Sequence, residues 1–290
     1  MILLTGATGL VGGELLPMLL DAGKPVRTLV REPRGLGPNR VKVQIALGDL
    51  ADPFSMRNAL RGVDTVVHLA ATIRDQAGGT IEELNGLATL RLLRAAERAG
   101  VERFFFFSAL GATSWQRTRF FRSKALAEVA VLDSELETTV FAPSIVYAPG
   151  DPWVTLMERL ATLPALPISG SGGARYQPIC SRDVARCVAA ALNGAGGEPR
   201  YELAGPDTLS YDEIAEVVAR ASGHQRPLIH VPVPVVRAGL RAAKLVAGDS
   251  VFATWEEAEL LEVAMISARG TADAENLGVR PVAMSNVLSG

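Results

Sequence analysis

The decisive stretch is Thr5-Gly6-Ala7-Thr8-Gly9-Leu10-Val11-Gly12, which joins a predicted apolar strand to a predicted apolar helix. Each glycine meets a different steric need, since Gly6 turns the chain, Gly9 lets the backbone approach a diphosphate, and Gly12 allows the helix to pack closely on the strand. Free amides at the start of the helix then face negative charge. In this strand–turn–helix context the pattern predicts a dinucleotide-binding turn rather than a tight turn without a ligand. The expected contacts to the dinucleotide are Gly6, Thr8, Gly9, Leu10 and Val11.

The first half of the chain alternates β-branched runs with helical patterns, which is typical of a parallel sheet covered on both faces. The predicted strands are 1–5, 25–30, 41–47, 64–69, 101–108 and 138–143, and the predicted helices are 10–22, 53–60, 81–99 and 119–132. The run Phe104-Phe105-Phe106-Phe107 predicts a strand that is buried on both sides. We therefore predict an α/β fold, a Rossmann-type doubly wound parallel sheet with a smaller, mostly helical C-terminal region.

The pattern changes after Gly150 to shorter elements separated by clusters of Pro and Gly. We therefore predict two units, a dinucleotide-binding domain at 1–150 and a smaller region for a substrate or partner at 151–290. The second unit can interleave with the first. Its last helices are predicted near 235–246 and 255–265, where apolar residues could cover a substrate cleft or a partner.

The sequence also marks helix ends. Thr80 with Glu83, and Ser210 with Glu213, have the spacing of capping boxes. Gly100 follows the third helix at a position where a left-handed C-terminal residue belongs.

The residue facing the 2′ position of a bound dinucleotide is expected about twenty residues beyond the glycine turn. An NAD-selective protein usually has Asp or Glu there, whereas this chain has Arg31, with Arg34 close behind. A guanidinium forms charge-assisted hydrogen bonds with a 2′-phosphate, which a carboxylate repels. Arg31 therefore predicts NADP(H) as the cofactor. Glu32 is the competing candidate for the residue that faces the 2′ position. The alternative is that Arg31, Glu32 and Arg34 all belong to a solvated loop.

The composition is that of an ordinary globular chain, with 290 residues, 48% hydrophobic and 21% charged. A net charge of −2 leaves no long-range positive field that would gather nucleic acid or anionic lipid. The three histidines, His68, His224 and His230, lack metal-site spacing, so we expect no metal. The chain also lacks an apolar run of the ~20 residues that a spanning helix needs, and its N-terminus lacks a signal-like basic region. We expect a cytoplasmic protein, or one that is peripheral to a membrane through a partner, without membrane insertion.

Further motifs resemble the short-chain dehydrogenase/reductase superfamily, in its extended or atypical branch, which includes NmrA-like and complex I 39-kDa-subunit-like proteins. The matching motifs are Thr5–Gly12, Val30–Pro33, Gly48–Leu50, His68–Ala71, Ser108–Ala112, Ser123–Ala125, Pro143–Tyr147, Tyr176–Ile179 and Leu203–Pro206. Together they span nearly the whole chain. The motifs at 108–112 and 176–179 point more narrowly to the complex I-subunit-like branch.

The resemblance implies cofactor contacts at the ends of the predicted strands. Asp49 would accept a hydrogen bond from the adenine amino group, with Leu50 beside the ring. Lys124 would hold the nicotinamide ribose, and Ser108 would lie near the nicotinamide. The other implied contacts are Leu69, Ala70 and Ala71 along the middle of the cofactor, and Pro143 and Ile145 at the carboxamide.

The proton donor that is usual in this superfamily is missing. Active reductases carry a Tyr four residues before the Lys, and the corresponding residue here is Phe120, which has no proton to donate. Three candidates could replace it: Lys124, if burial lowers its pKa, Ser108 at the sheet edge, or Tyr147 in the loop after the sixth strand. The alternatives are a purely ribose-binding role for Lys124 and packing at a domain junction for Tyr147.

Two functions follow from these observations, and an electron-neutral epimerase or dehydratase ranks behind both because it also relies on the missing Tyr. The first is an NADP(H)-dependent oxidoreductase that transfers hydride to a small apolar carbonyl, enone or quinone-like substrate without the usual Tyr. The second, favoured by Phe120, is a non-catalytic NADP(H)-binding redox sensor, or an assembly or stability factor for a complex. The expected partners are a small-molecule substrate and either a second copy of the chain or a larger protein complex, with no nucleic acid.

Overall fold

Seven parallel strands form the central sheet of the computed structural model, which describes residues 1–76, 78–238 and 259–289. The strands are β1 (Ile2–Thr5), β2 (Val26–Val30), β3 (Gln44–Leu47), β4 (Thr65–His68), β5 (Arg103–Phe107), β6 (Glu137–Pro143), β7 (Val146–Tyr147), β8 (Leu166–Ser169), β9 (Arg175–Tyr176), β10 (Ile179–Cys180), β11 (Arg200–Leu203), β12 (Leu209–Ser210) and β13 (Leu228–Val231). The sheet order is β3-β2-β1-β4-β5-β6-β11, and every neighbouring pair is parallel. Because the order reverses between β1 and β4, a ligand crevice is expected at the carboxyl ends of these strands. The predicted doubly wound α/β fold is confirmed.

Helices cover both faces of this sheet. They are α1 (Leu10–Asp21), α2 (Pro53–Ala59), α3 (Ala88–Ala99), α4 (Arg119–Leu132), α5 (Pro152–Leu160), α6 (Ser181–Leu192), α7 (Tyr211–Ala221), α8 (Ala272–Asn276) and α9 (Met284–Leu288), with a 3-10 segment at Pro33–Val41 and a π-helical turn at Glu83–Leu87 before α3. Phe104 and Phe106 pack in one core with α2, α3 and α4, whereas Phe105 and Phe107 pack in the other with α1 and α6. The prediction that the Phe104–Phe107 run is core on both faces is confirmed.

The chain after residue 150 contributes to more than one core. Strand β11 pairs with β6 in the central sheet. Residues of both α6 and β11 pack in the core beneath α1. A separate core is formed by residues from α5, α7, α9 and the short strand pairs β7–β10, β8–β13 and β9–β12. The division into units at 1–150 and 151–290 stays a prediction, and the described residues show where the two ranges share a sheet.

The helix caps predicted from the sequence agree with the structure. The Ser210 hydroxyl accepts the amide of Glu213, whose carboxylate accepts the amide of Ser210, which is a complete capping box. Thr80 and Glu83 make the same reciprocal pair. Gly100 ends α3 with φ +73°, so its left-handed conformation was predicted correctly.

Two predicted elements differ from the structure. The strand predicted at 41–47 begins only at Gln44, because the 3-10 segment that contains Pro38 runs to Val41. The helix predicted near 235–246 lies largely outside the described residues, and residues 233–238 at its start are helical. Of the helix predicted near 255–265, residues 259–265 are described: residues 259–260 are helical, whereas residues 261–265 are not, and Met265 forms a β-bridge with Tyr176. No helix in the described ranges is both long and apolar enough to cross a membrane.

Candidate functional site

The glycine turn between β1 and α1 is packed too tightly for side chains. Gly6 has φ +73°, and a Cβ built on it would lie 2.7 Å from the amide nitrogen of Ala70. A Cβ on Gly12 would lie 2.1 Å from the carbonyl oxygen of Gly6. The turn is therefore pressed between its own helix and the end of β4, which only glycine allows at these two positions.

The start of α1 offers backbone amides without a competing side chain. Gly9 is the N-cap residue, and no side-chain hydrogen bond caps the helix. Thr8, Gly9 and Leu10 are exposed, and Val11 is half-buried. An uncapped helix N-terminus directs amides and positive potential outward, which suits a diphosphate.

The end of β4 forms the other wall of this crevice. The amide of Leu69 donates to the carbonyl of Thr5 at 3.2 Å, which holds the chain after β4 against the end of β1. Leu69 and Ala70 are half-buried and Ala71 is exposed. The structure thus brings residues 69–71 beside the glycine turn, as a contact along the middle of a dinucleotide requires.

Arg31 follows β2 and lies beside the loop after β4. Its Nη1 donates to Oε1 of Gln76 at 3.0 Å, and both side chains are exposed. The competing residue, Glu32, uses its carboxylate to accept the amide of Arg34 at 3.2 Å, where it caps the 3-10 segment. That segment also touches the glycine turn, because a Cβ on Gly35 would lie 3.0 Å from Cγ2 of Thr8. The Arg31 guanidinium is therefore an exposed cation on this side, beside the loop after β4.

Asp49 and Leu50 follow β3. Oδ1 of Asp49 accepts the amide of Ala51 at 3.0 Å, which fixes the carboxylate at its own turn. Its other oxygen, Oδ2, would lie 3.4 Å from a Cβ on Gly78, so the loop after β4 passes over it. Leu50 is half-buried against the core that contains α2 and α3.

Lys124 has one of the largest buried side chains among the described residues, at 2% exposure. Its Nζ donates to the carbonyl of Phe107 at 2.6 Å and lies 4.9 Å from the centroid of the Phe106 ring. Burial disfavours the charged form and lowers the pKa of Lys124 to about 7. The amine can therefore both hold and release a proton near neutral pH.

Ser108 directly follows β5, next to the carbonyl that Lys124 binds. Its amide donates to the carbonyl of Phe141 at 2.8 Å. Its hydroxyl oxygen is buried and has no hydrogen-bond partner among the described residues. A buried polar atom without a partner is costly, so this hydroxyl is a strong candidate for contact with a bound molecule.

A buried histidine network lies beneath this region. His68 Nδ1 lies 2.7 Å from the Thr5 hydroxyl, and Nε2 lies 2.9 Å from the Thr89 hydroxyl. Because Thr89 donates to the carbonyl of Asn85, Nε2 must carry the proton and Nδ1 accepts from Thr5. Burial, with a smaller effect of Lys124, lowers the pKa of His68 to about 3, so the ring is neutral.

Phe120 separates the buried amine from a cavity. Its ring is half-buried and its centroid lies 6.0 Å from Nζ of Lys124. The cavity has a volume of about 250 Å³ and is lined by Ile73, Ile81, Arg117, Thr118, Arg119, Phe120, Arg237, Glu259 and Leu260. Position 120 therefore lines a cleft and is not sealed in the core.

The loop after β4 is fastened by contacts that sequence analysis missed. Arg119 binds Glu82 through two hydrogen bonds, of 2.6 and 2.5 Å, and Asp75 through one of 3.0 Å. The hydrogen bond from Arg119 lowers the pKa of Glu82. The buried Asn85 side chain accepts the amide of Thr72 and donates to its carbonyl. The sequence carried no signal for these pairs, because the partners are up to 44 positions apart.

The remaining predicted contacts lie at the end of β6. The carbonyl of Pro143 accepts the amide of Leu110 at 2.9 Å, and that of Ile145 accepts the amide of Ile179 at 3.0 Å. Between them, the buried Ser144 hydroxyl accepts the amide of Gln177 and donates to the carbonyl of Met265. Ser144 was not predicted as a site residue, and it ties this strand end to the C-terminal chain.

Tyr147 is placed differently from Lys124 and Ser108. Its side chain is completely buried in the core formed by α5 and α7, with Met157 and Ile214. Burial raises the pKa of its hydroxyl, which makes proton release harder. Its hydroxyl, like that of Ser108, has no hydrogen-bond partner among the described residues, so its role as a donor stays a prediction, while its apolar surroundings favour packing.

Comparisons with known proteins agree on one family. The NAD(P)H-binding family profile matches residues 6–195. The chain is 29% identical to NADH dehydrogenase [ubiquinone] 1 alpha subcomplex subunit 9, mitochondrial, of Arabidopsis thaliana, over 80% of this chain and 60% of that protein. It is 31% identical to (4-alkanoyl-5-oxo-2,5-dihydrofuran-3-yl)methyl phosphate reductase of Streptomyces griseus, over 83% and 81%. UDP-glucose 4-epimerase of Thermus thermophilus, solved with NAD, has the same fold with a TM-score of 0.75 at 21% identity, over 99% of this chain and 96% of that one.

Proposed function

The chain belongs to the NAD(P)H-binding family, among relatives in the atypical short-chain dehydrogenase/reductase branch, and on this premise we propose that it is an NADP(H)-dependent oxidoreductase. Its substrate would be a small apolar carbonyl, enone or quinone-like compound. The observation that carries this proposal is a buried amine, Lys124, which binds the carbonyl directly before Ser108 and lies 6.0 Å from the centroid of the Phe120 ring, which lines a cleft. The buried hydroxyl of Ser108 has no partner among the described residues.

The residues present fit a dinucleotide. The tight turn at Gly6 and Gly12 and the uncapped start of α1 would hold the diphosphate. Arg31 would bind a 2′-phosphate, which supports NADP(H) over NAD(H) because a guanidinium forms charge-assisted hydrogen bonds with a phosphate. The other residues proposed to hold the cofactor are Thr8, Gly9, Leu10, Val11, Asp49, Leu50, Leu69, Ala70, Ala71, Ser108, Lys124, Pro143 and Ile145.

Lys124 and Ser108 would supply the groups that the missing Tyr supplies elsewhere. The reduced coenzyme contributes a hydride when it is bound. Lys124 donates only to the carbonyl of Phe107 among described hydrogen-bond partners, so its other N–H bonds can serve a ribose or a substrate oxygen. With a pKa of about 7, its ammonium can give a proton to the oxygen of a carbonyl that is being reduced. The Ser108 hydroxyl would donate a hydrogen bond to the same oxygen, whereas Tyr147 would have no part.

The second candidate is a non-catalytic NADP(H)-binding protein that works as a redox sensor or as a factor in a larger complex. Phe120 favours it, because the usual proton donor is absent. One relative is by name a subunit of an NADH dehydrogenase complex, and the match covers 60% of its length. In this case Lys124 would bind the ribose alone.

We further propose a cytoplasmic location, with residues 151–290 facing the substrate or partner.

Turnover separates the two candidates. We expect wild-type protein to oxidise NADPH with at least one member of an aldehyde, enone and quinone panel. Lys124→Met should reduce kcat by on the order of 10²-fold or more, and Ser108→Ala by a smaller factor. Fluorescence titration of NADPH serves as the control for coenzyme binding. Intact NADPH binding without turnover on any panel would contradict the enzyme and support the binding protein.

A further inference from the structure

The N-terminus of α4 lines the cavity beside Phe120 and has an unused polar group. Thr118 is its N-cap residue, yet its side chain caps no amide. The residue is 7% exposed, and its hydroxyl has no hydrogen-bond partner among the described residues. A threonine at this position normally accepts an amide of the first turn. Here both the hydroxyl and the first-turn amides remain available to a molecule in the cavity.

The charges around this cavity do not all pair with one another. Arg119 is bound to Glu82 and Asp75, and Arg237 lies 3.8 Å from Glu259. Arg117 also lines the cavity and is exposed, and its guanidinium makes no hydrogen bond or ion pair with the described residues. Three guanidinium groups and one carboxylate, Glu259, line the cavity, whereas Glu82 and Asp75 lie outside its lining. The lining therefore favours a negatively charged group, because the helix N-terminus adds positive potential to it.

The rest of the lining is apolar. Ile73, Ile81 and Leu260 line the cavity together with the Phe120 ring. A molecule with an apolar body and one acidic end would match both parts of the lining. A wholly apolar molecule would leave the Thr118 hydroxyl buried without a partner.

We propose that the cavity binds an amphipathic substrate whose carboxylate or phosphate group is held by the N-terminus of α4, the Thr118 hydroxyl and Arg117. This inference rests on the proposed function, because the Phe120 ring lies between the cavity and Lys124. It narrows the substrate class to apolar carbonyl compounds that carry an anionic group.

Binding of small probes tests the inference without turnover. We would titrate benzoate, phenyl phosphate and benzamide into the full-length protein with NADP⁺ present, by calorimetry. At least one anion should bind about tenfold more tightly than neutral benzamide, since a charge-assisted hydrogen bond is of that size. The tighter of the two anions identifies the acidic group. Equal binding of all three probes, or binding of none, would overturn the inference.

Two variants locate the anion. Thr118→Val removes a hydroxyl that makes no bond to the described residues, so we expect unchanged thermal stability and weaker anion binding by about fivefold or more. Arg117→Gln should weaken it by about tenfold. Thr113→Val and Arg94→Gln are matched controls at exposed positions outside the cavity lining and should bind anions as wild type does. Anion binding unchanged in both Thr118→Val and Arg117→Gln would overturn the placement.

The failure of this inference and that of the proposed function are distinguishable. NADPH oxidation with neutral aldehydes but no preference for 4-carboxybenzaldehyde over 4-methylbenzaldehyde would overturn the anion site alone. Anion binding without any NADPH oxidation would overturn the enzyme and leave the anion site in place.

Discussion

The Nζ atom of Lys124 lies 6.0 Å from the centroid of the Phe120 ring, one turn away on α4. Residues four apart share a helix face, so the two side chains meet on the side of α4 that carries the buried amine. Phe120 also lines the cavity, so a single position is shared by the proposed acid and the proposed substrate cleft. A hydroxyl added to this ring would therefore be near both.

Phe120→Tyr should increase carbonyl reduction. The new phenol supplies a proton donor beside Lys124, and a positioned acid contributes on the order of 10²-fold or more to rate. We expect kcat/KM for an aldehyde to rise by on the order of 10-fold to 10²-fold, with an unchanged melting temperature because the ring is only half-buried. Phe120→Leu is the control without a hydroxyl and should show no gain. A folded Phe120→Tyr variant with wild-type rates would contradict this role for the position.

The pH profile of reduction should report Lys124. Its pKa of about 7 means that the ammonium is present below pH 7 and is lost above it. If the ammonium is the acid, kcat/KM falls tenfold per pH unit above about pH 7. The profile is measured with saturating NADPH from pH 5.5 to 9. If the Lys124→Met variant keeps some activity and its kcat/KM falls above pH 7 as in the wild type, the titrating acid is a group other than Lys124.

Gly12→Ala should damage the cofactor turn. The added methyl would overlap the carbonyl oxygen of Gly6, so the helix must move, at a cost of about 1–3 kcal/mol in unfolding free energy. NADPH affinity should fall with it. Gly13→Ala is a matched control, because a Cβ there meets nothing within 4 Å and helix propensity improves by up to about 1 kcal/mol. Denaturant unfolding and NADPH titration check both variants. Equal free energies of unfolding and equal NADPH affinities in Gly12→Ala and Gly13→Ala would refute the tight packing of the turn.

His68 should make the protein acid-sensitive. Its pKa is about 3 when folded and 6.5 in a model peptide, so the unfolded chain binds more protons between these values. The unfolding free energy therefore falls as pH drops from 6.5 towards 3, by up to about 1.4 kcal/mol per pH unit from this group. His68→Gln removes the titration and should flatten the slope measured by urea unfolding. His224→Gln, outside the network, is the control, and an identical slope in wild type and His68→Gln would exclude the histidine as the cause.

Local patterns in the sequence predicted much of the fold. The bounds of α4 were predicted as 119–132 and are observed there, and the strands around the glycine turn agree within two residues. These features depend on periodicity and capping over a few positions. The Arg119–Asp75 pair, the His68 network and the π-helical turn at Glu83–Leu87 were not predicted, because they depend on contacts between distant segments or on packing that no local pattern records.

The candidate site was likewise predicted only in part from the sequence. The glycine turn and Ser108 lie at strand ends and Lys124 lies on α4, where short motifs in the sequence placed them, and their contact with a cofactor stays a prediction. Tyr147 was predicted as a possible donor, and its burial in the core of α5 and α7 favours packing instead. Thr118 gave no signal in the sequence, because only the structure shows that its hydroxyl is buried without a partner among the described residues.

The most direct test of the central claim is a fluorescence titration of the wild-type protein with NADPH and with NADH. The account predicts a Kd for NADPH lower by on the order of tenfold or more, because Arg31 can form charge-assisted bonds to the 2′-phosphate. In Arg31→Gln this preference should disappear, whereas Arg94→Gln, an exposed control on α3, should keep it. Equal affinities for the two coenzymes in the wild type, or binding of neither, would contradict the account.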